Sequence, residues 1–349
     1  MVTRNVTSCI RDYTRYSDTV AVLLAIRQMV LKNPKIGKFI GVEHKLKNSK
    51  GNFLRPDLVA QYDQDTKGML FEVKWSLPFD EEKLLKKLRE LKKYTDTLRN
   101  WSTNNGTVDT HDLILVCHID DARRVVESLP QLLTSKDYEF IKDEGFAVWG
   151  WILNPAKRDS HKEEMRFLHC YGKISNRQLE NMIAQTGGIV VTEDVLTYLR
   201  FTFAFIPEKP PIQYTIAVLV QNILPSFQRS VEKENYELDA DLIYERAKSF
   251  FPSWSEFDTE TIQTKRRWLI EAIEELCDLG LAEKVVTSPD RWSIQIPTLR
   301  PRGSIQEAIC KRIAKALKKR RYTGRHPRSS ASKAFRRKPP KGQERIDKF

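Results

Sequence analysis

The order in which strand-like and helical runs alternate in the first half of the chain is the feature that most restricts its fold. A helical pattern from Asp18 to Lys32, with Ser17 as N-cap and Asn33-Pro34 as the stop, precedes three strand-like runs. These runs are KFIGVEHKL, FLRPDLVAQY and GMLFEVKWSL. A helix over 80–98, a strand over 112–119, a helix over 122–133 and a strand over 146–153 follow. This order predicts an α/β domain whose mixed sheet is flanked by helices.

A different unit is predicted after Pro207 and the Pro210-Pro211 pair, which break the pattern. Three helical segments follow, over 212–228, 239–251 and 259–279. Gly280 ends the third of them, and the runs LAEKVV and RWSIQI then flank a turn. This mainly helical unit with its hairpin resembles a winged helix. We therefore predict three parts: residues 1–205, residues 206–310 and a tail over residues 311–349.

The net charge of +13 is concentrated in that tail. From Lys311 to Phe349 there are 16 Lys and Arg against two acids, whereas the preceding 310 residues hold 43 basic and 44 acidic side chains. The tail has few large apolar residues, so its composition predicts a disordered basic arm. Such an arm suits nucleic-acid phosphates, because binding releases counterions. A localisation signal and a solubilising tail are the alternatives.

One acid-x-Lys tripeptide stands out because of its surroundings. The pattern occurs five times, beginning at Glu43, Asp65, Glu72, Glu81 and Glu90. Only Glu72-Val73-Lys74 interrupts an apolar strand, and charges there are costly unless they are paired or metal-bound. On a strand, Glu72 and Lys74 point to the same face.

A second carboxylate is predicted on that face. Pro56-Asp57 begins the preceding strand, and antiparallel pairing around Asp63–Gly68 sets Asp57 opposite Lys74, diagonal to Glu72. Two converging carboxylates form an oxygen site for a hard cation such as Mg²⁺. A solvent-facing pair on a one-sided sheet, together with an ordinary Pro-Asp turn, is the structural alternative.

Pro56-Asp57 followed by Glu72-Val73-Lys74, within this element order, resembles the PD-(D/E)XK nuclease superfamily, which has the restriction endonuclease-like fold. The resemblance covers about residues 15–155. It implies that Asp57 and Glu72 bind metal and that Lys74 positions or helps to activate the attacking water.

A third acid often assists in this superfamily, commonly a Glu on the first helix, but the predicted helix from Asp18 to Lys32 contains no Glu. Glu43 is the better candidate, because pairing around Lys50 sets it across from Asp57, and many members carry a Glu on that strand. Asp18 is the fallback. Glu90 and Tyr94, one helical turn apart, resemble the QxxxY element of exonuclease-like members, with Glu in place of Gln.

Nucleic-acid contacts are predicted in the other two parts. A winged helix would set its third helix in a major groove, where Lys265, Arg266 and Arg267 could contact DNA and Arg291 could add a contact from the wing. Trp268, Leu269 and Ile273 are predicted to face the core. Lys319, Arg320 and Arg321 lie in the basic tail. Protein–protein contact is the alternative, because the second half of the third helix is acidic.

Together these features predict a Mg²⁺-dependent DNA endonuclease, with Mn²⁺ as a substitute metal. Double-strand cleavage by one site per chain favours a homodimer or a partner nuclease subunit. The five cysteines include no CxxC pair, there is no Walker loop, and no apolar run reaches the ~20 residues of a membrane span. We therefore expect an intracellular protein, cytoplasmic or nucleoid-associated. The alternative is a non-catalytic DNA-binding or regulatory protein on a degenerate nuclease scaffold.

Overall fold

The computed structural model describes most of the chain up to residue 295. The described residues are 6–101, 107–142, 144–154, 164–185, 187–192, 195, 205–224, 235–280, 282–285, 291–295 and 311. Within them, no helix combines the length and the apolar character needed to cross a membrane.

The first part of the chain is an α/β unit built on a mixed seven-stranded sheet. In chain order the strands are β1 (Lys38–Val42), β2 (Leu46–Lys47), β3 (Phe53–Leu54), β4 (Leu58–Tyr62), β5 (Lys67–Lys74), β6 (Thr110–His118), β7 (Phe146–Asn154), β8 (Glu164–Lys173) and β9 (Ile189–Val191). The sheet order is β1-β4-β5-β6-β7-β8-β9, while β2 and β3 pair with each other. Strands β5, β6 and β7 are parallel, and the other pairs are antiparallel.

Helices cover both faces of this sheet. They are α1 (Val6–Lys32), α2 (Glu81–Arg89), α3 (Ile119–Leu132) and α4 (Arg177–Ala184), with 3₁₀ segments at Glu90–Tyr94 and Lys136–Ile141. Alternate side chains of β5 point to opposite faces of the sheet. Phe71 belongs to the hydrophobic cluster that includes α1, and Leu70 belongs to the cluster that includes α2 and α3. The predicted mixed α/β sheet with flanking helices is therefore confirmed.

Helix α1 begins at Val6, so the prediction of a start near Asp18 with Ser17 as N-cap was wrong. The physical reason lies in the spacing of Cys9, Tyr13, Tyr16 and Val20, which are all buried. Steps of three and four residues keep these side chains on one helical face, so the helix gains stability from packing despite the polar residues between them.

Among its described residues, the second part contains three helical segments and a small sheet. They are α5 (Ile212–Val218), which continues as a π-helical turn over Leu219–Ile223, then β10 (Asn235–Asp239), α6 (Ala240–Phe250), a 3₁₀ turn at Pro252–Glu256, α7 (Thr259–Asp278), β11 (Ala282–Lys284) and β12 (Arg291–Gln295). The sheet order is β10-β12-β11, with both pairs antiparallel. Strand β10 was not predicted, whereas the β11–β12 hairpin was.

The two parts share one hydrophobic core. The rings of Tyr16 in α1 and Tyr214 in α5 lie 4.6 Å apart, and Gln213 donates a hydrogen bond of 2.9 Å to the carbonyl of Cys9. Trp268, Leu269 and Ile273 of α7 belong to the same buried cluster, as predicted. Side chains from the second part therefore reach the region of the predicted nuclease residues.

Candidate nuclease site

Asp57, which immediately precedes β4, lies opposite Glu72, near the end of the neighbouring strand β5. Tyr62 pairs with Lys67 and Leu58 pairs with Phe71, and continuing this register by one position sets Asp57 across from Glu72. The predicted pairing of Asp57 with Lys74 was therefore wrong by two residues. The cause is a four-residue turn in which Asp63, Gln64 and Asp65 all have positive φ. A shift of two residues preserves the face of every side chain, so the predicted convergence remains.

The Asp57 carboxylate is buried, and only one of its two oxygens accepts a hydrogen bond. Its side chain is 1% exposed, and its Oδ2 accepts a hydrogen bond from the backbone N–H of Val73. Its Oδ1 is buried without a hydrogen-bond partner. A buried carboxylate oxygen left unpaired is costly, so this atom requires a further explanation, such as a ligand.

Lys74 lies between two carboxylates. Its Nζ is 2.9 Å from Oε2 of Glu72 and 3.3 Å from Oε1 of Glu208. Glu72 is itself buried, at 4% exposure, while Glu208 comes from the segment that joins the two parts of the chain. The ammonium of Lys74 thus offsets the negative charges of Glu72 in β5 and of Glu208 in the connecting segment.

The two strand carboxylates have opposite electrostatic environments. Burial, followed by the neighbouring Glu72, raises the pKa of Asp57 well above its usual value. Burial would also raise the pKa of Glu72, but the ammonium groups of Lys74 and then Lys93 bring it below its usual value. Divergent pKa values in a close carboxylate pair are common at functional sites.

Tyr94 lies beside this pair, whereas Glu90 does not. The Tyr94 side chain is fully buried, and burial together with the nearby Glu72 carboxylate raises its pKa. Glu90 is exposed and pairs with Lys87 at 2.8 Å. The predicted shared face of Glu90 and Tyr94 was wrong, because Glu90–Tyr94 is a 3₁₀ segment in which residues three apart align, not four.

Glu43 lies directly across from Asp57, as predicted, because its backbone N–H donates to the Asp57 carbonyl at 3.2 Å. Its carboxylate, however, points to the second part of the chain. Oε2 of Glu43 is 3.5 Å from Nζ of Lys265 in α7, and both side chains are 3% exposed. Burial raises the pKa of Glu43 and lowers that of Lys265, and each partner partly offsets the shift of the other.

The predicted set of three carboxylate ligands is therefore not formed. Within the part of the chain that the structure describes, no group of three or more His, Cys, Asp or Glu side chains is arranged to hold a metal ion. The Glu43 carboxylate pairs instead with Lys265, at 3.5 Å. Asp18, the fallback acid, is buried within α1. Asp57 and Glu72 remain as a pair.

The predicted nucleic-acid contacts differ in accessibility. Lys265 was wrongly predicted as a surface contact: it is buried, and its Nζ lies 4.2 Å from the ring centre of Trp268. Arg266 is partly exposed and pairs with Asp241. Arg267 and Arg291 are exposed. Lys319, Arg320 and Arg321 lie outside the described residues.

The Asp57–Glu72 pair fits a hard divalent cation. Mg²⁺ is usually bound in proteins by one or two carboxylates, with water and substrate phosphate completing its octahedron. The buried, unpaired Oδ1 of Asp57 is an oxygen donor of the required type. Asp57 and Glu72 would hold such an ion, and Lys74 would lie beside it.

Sequence reasoning missed Glu208 and misplaced Lys265. Glu208 lies in the Pro-rich segment PEKPP, which indicated only a boundary between domains. Lys265 was assigned to the surface because it precedes two arginines. Neither position carries a local pattern that would have placed it beside Lys74 or Glu43.

Comparisons with protein-family models, with curated proteins and with solved structures find no match to this chain. The proposal for its function therefore depends on the geometry and electrostatics of the site.

Proposed function

We propose that the chain is a divalent-metal-dependent DNA endonuclease whose site is formed by Asp57, Glu72 and Lys74. One observation carries the proposal: two buried carboxylates face each other at adjacent strand ends, one of them with an unpaired oxygen, and a lysine ammonium lies beside them. Their order along the chain is that of the PD-(D/E)XK motif, and the seven-stranded mixed sheet is compatible with a restriction endonuclease-like fold.

Each residue would have a distinct role in phosphodiester hydrolysis. A bound divalent ion supplies Lewis-acid chemistry and lowers the pKa of bound water. Asp57 and Glu72 would hold that ion by their oxygens. Lys74 places a positive charge where the phosphorane-like transition state gains negative charge. Before an ion binds, the charges of Glu72, then Asp57 and then Glu208 raise the pKa of Lys74. The contacts of its ammonium with Glu72 at 2.9 Å and Glu208 at 3.3 Å favour an electrostatic role for Lys74 over that of a free base.

The second part of the chain would hold the DNA. Its order of helix, strand, two helices and two strands, with the last strand between the other two, is compatible with a winged helix. Arg267 on α7 and Arg291 on β12 are exposed and could contact phosphates. The acidic end of α7 favours the alternative, in which this unit binds another protein.

Removal of Lys318 to Phe349 should weaken DNA binding. The segment is rich in Lys and Arg, so its loss should make the slope of log affinity against log salt shallower, because fewer counterions are released. Fluorescence anisotropy with a labelled duplex at several salt concentrations measures that slope. An unchanged slope would assign the tail to another role.

Metal dependence and substrate topology test the function directly. Closed circular, linear and single-stranded DNA are incubated with Mg²⁺, Mn²⁺, Ca²⁺ or EDTA. We expect Mg²⁺ or Mn²⁺ to convert circular DNA to nicked or linear product, and EDTA to prevent it. Activity restricted to linear DNA would contradict the endonuclease assignment. Binding without cleavage under every condition would favour the non-catalytic alternative.

A further inference from the structure

A small basic hairpin extends directly from the candidate site. Residues 44–56, called here the basic hairpin, connect Glu43 to Asp57, the two acids that face each other across β1 and β4. Strands β2 and β3 pair within it through Leu46–Leu54 and Lys47–Phe53. Lys50 at the turn lies seven Cα–Cα steps before Asp57, so the tip lies within ~25 Å of the site. That distance spans at most about seven base pairs of B-DNA, at ~3.4 Å per pair.

The turn of the basic hairpin is well ordered by hydrogen bonds. The N–H of Asn48 donates to the carbonyl of Asn52 at 2.9 Å, and the N–H of Asn52 donates to the side chain of Asn48 at 2.9 Å. At the base, Arg55 donates to the carbonyl of Glu43 at 3.3 Å and to that of Glu256 at 3.1 Å. The basic hairpin is thus fixed both to the site and to the second part of the chain.

All the charged side chains of the basic hairpin are positive. It contains Lys45, Lys47, Lys50 and Arg55 but no Asp or Glu. Arg99 adds a further cation, because its backbone pairs with that of Lys47 at 2.8 and 3.1 Å. Among the described residues, neither the three lysines nor Arg99 forms an ion pair. Two carboxylates lie within electrostatic reach of these lysines. Asp96 accepts a hydrogen bond from Ser49 and is attracted to Lys50, and Asp258 pairs with Arg55 and is attracted to Lys45.

An exposed aromatic ring accompanies these cations. Phe53 is 49% exposed, and Nζ of Lys45 lies 3.9 Å from its ring centre. An apolar ring left in water contributes little to folding, whereas aromatic rings beside basic side chains bind nucleotides by stacking. Lysines that form no close ion pair also suit a phosphate backbone.

We propose that the basic hairpin is a nucleic-acid contact that holds DNA phosphates next to Asp57 and Glu72, with Phe53 as a stacking surface. The inference rests on the proposed function for the nature of the ligand. Its test requires neither metal nor cleavage, so the two proposals can fail separately.

The test compares two triple variants of the full chain. In one, Lys45, Lys47 and Lys50 are replaced by Gln. In the control, Lys136, Lys142 and Lys173 are replaced by Gln; these exposed lysines lie near the start of β7, at the opposite end of the sheet. Both variants lose the same charge. Affinity for a labelled 20-base-pair duplex is measured in EDTA at several salt concentrations, and thermal melting confirms that both variants are folded.

We expect the hairpin variant to bind more weakly and to reduce the salt slope by about 2 to 3, since each lost phosphate contact removes ~0.9. The control should keep the wild-type slope. Phe53→Ala should weaken binding of a single-stranded oligonucleotide by at least ~5-fold. An unchanged slope, or equal reductions in both triple variants, would overturn the proposal. If the hairpin triple variant fails to fold, Lys50→Gln at the exposed turn provides the measurement, and we expect it to reduce the salt slope by ~0.9.

These outcomes are independent of catalysis. A reduced slope in a chain that cleaves no DNA with any metal would support the basic hairpin and contradict the proposed nuclease function. If wild type cleaves DNA but the hairpin variant keeps the wild-type salt slope, the nuclease proposal is supported and the basic-hairpin proposal is contradicted.

Discussion

Replacement of Lys265 by Met is expected to lower the free energy of unfolding by about 3–5 kcal/mol, because it leaves the carboxylate of Glu43 buried without its counter-charge. Both side chains are 3% exposed, so water cannot compensate for the loss. The contacts of the lysine with the rings of Trp254, Phe257 and Trp268 also disappear. Urea denaturation followed by tryptophan fluorescence measures the change.

A matched control lies one residue further along the same helix. Arg266→Met removes an ion pair with Asp241, which is 76% exposed, so it should cost no more than about 1 kcal/mol. The double variant Lys265→Met with Glu43→Met should recover much of the lost stability, since both charges are then absent. Equal effects of Lys265→Met and Arg266→Met would show that the Glu43–Lys265 pair does not join the two parts of the chain.

Lys74→Ala and Glu72→Gln are each expected to reduce cleavage by at least ~10²-fold, if each group contributes several kcal/mol to the transition state. In the proposed mechanism, Lys74→Ala removes the positive charge beside the reacting phosphate, and Glu72→Gln removes one charge from the proposed cation site while preserving size. Single-turnover cleavage of circular DNA in Mg²⁺ provides the rates.

Glu208→Gln serves as the control for these two variants. It removes the weaker of the two contacts of Lys74, at 3.3 Å against 2.9 Å, but leaves Glu72 and Lys74 in place. We expect a smaller reduction in rate than for Lys74→Ala. A wild-type rate for Lys74→Ala would contradict an electrostatic role of this ammonium.

The order of strand-like and helical runs was sufficient to predict the mixed sheet. Strand periodicity, which is local, was sufficient to place Glu72 and Lys74 on one face of β5. It was not sufficient to predict the register. The Asp63–Thr66 turn, with Asp63, Gln64 and Asp65 in left-handed conformations, moves the pairing by two residues. That shift brought Asp57 opposite Glu72 and not opposite Lys74, while leaving all three side chains on the same face.

Contacts between the two parts of the chain could not be predicted from local pattern. Lys265 belongs to a run of three cations, and an exposed position was the natural expectation for such a residue. In the folded chain α7 packs so that Lys265 meets Glu43, more than two hundred residues away, and only Arg267 of that run remains exposed. Glu208 beside Lys74 arises in the same way, from the path of the connecting segment.

The comparison of Asp57→Asn with wild type tests the central claim most directly. Asn keeps the size of Asp57 but removes the negative charge of its carboxylate, whose Oδ1 has no hydrogen-bond partner. Both proteins are incubated with closed circular DNA and Mg²⁺, and their binding to the same DNA is measured in EDTA. We predict cleavage at least ~10²-fold slower for Asp57→Asn, with DNA binding equal to or tighter than that of wild type. Cleavage at the wild-type rate would contradict the assignment of the site.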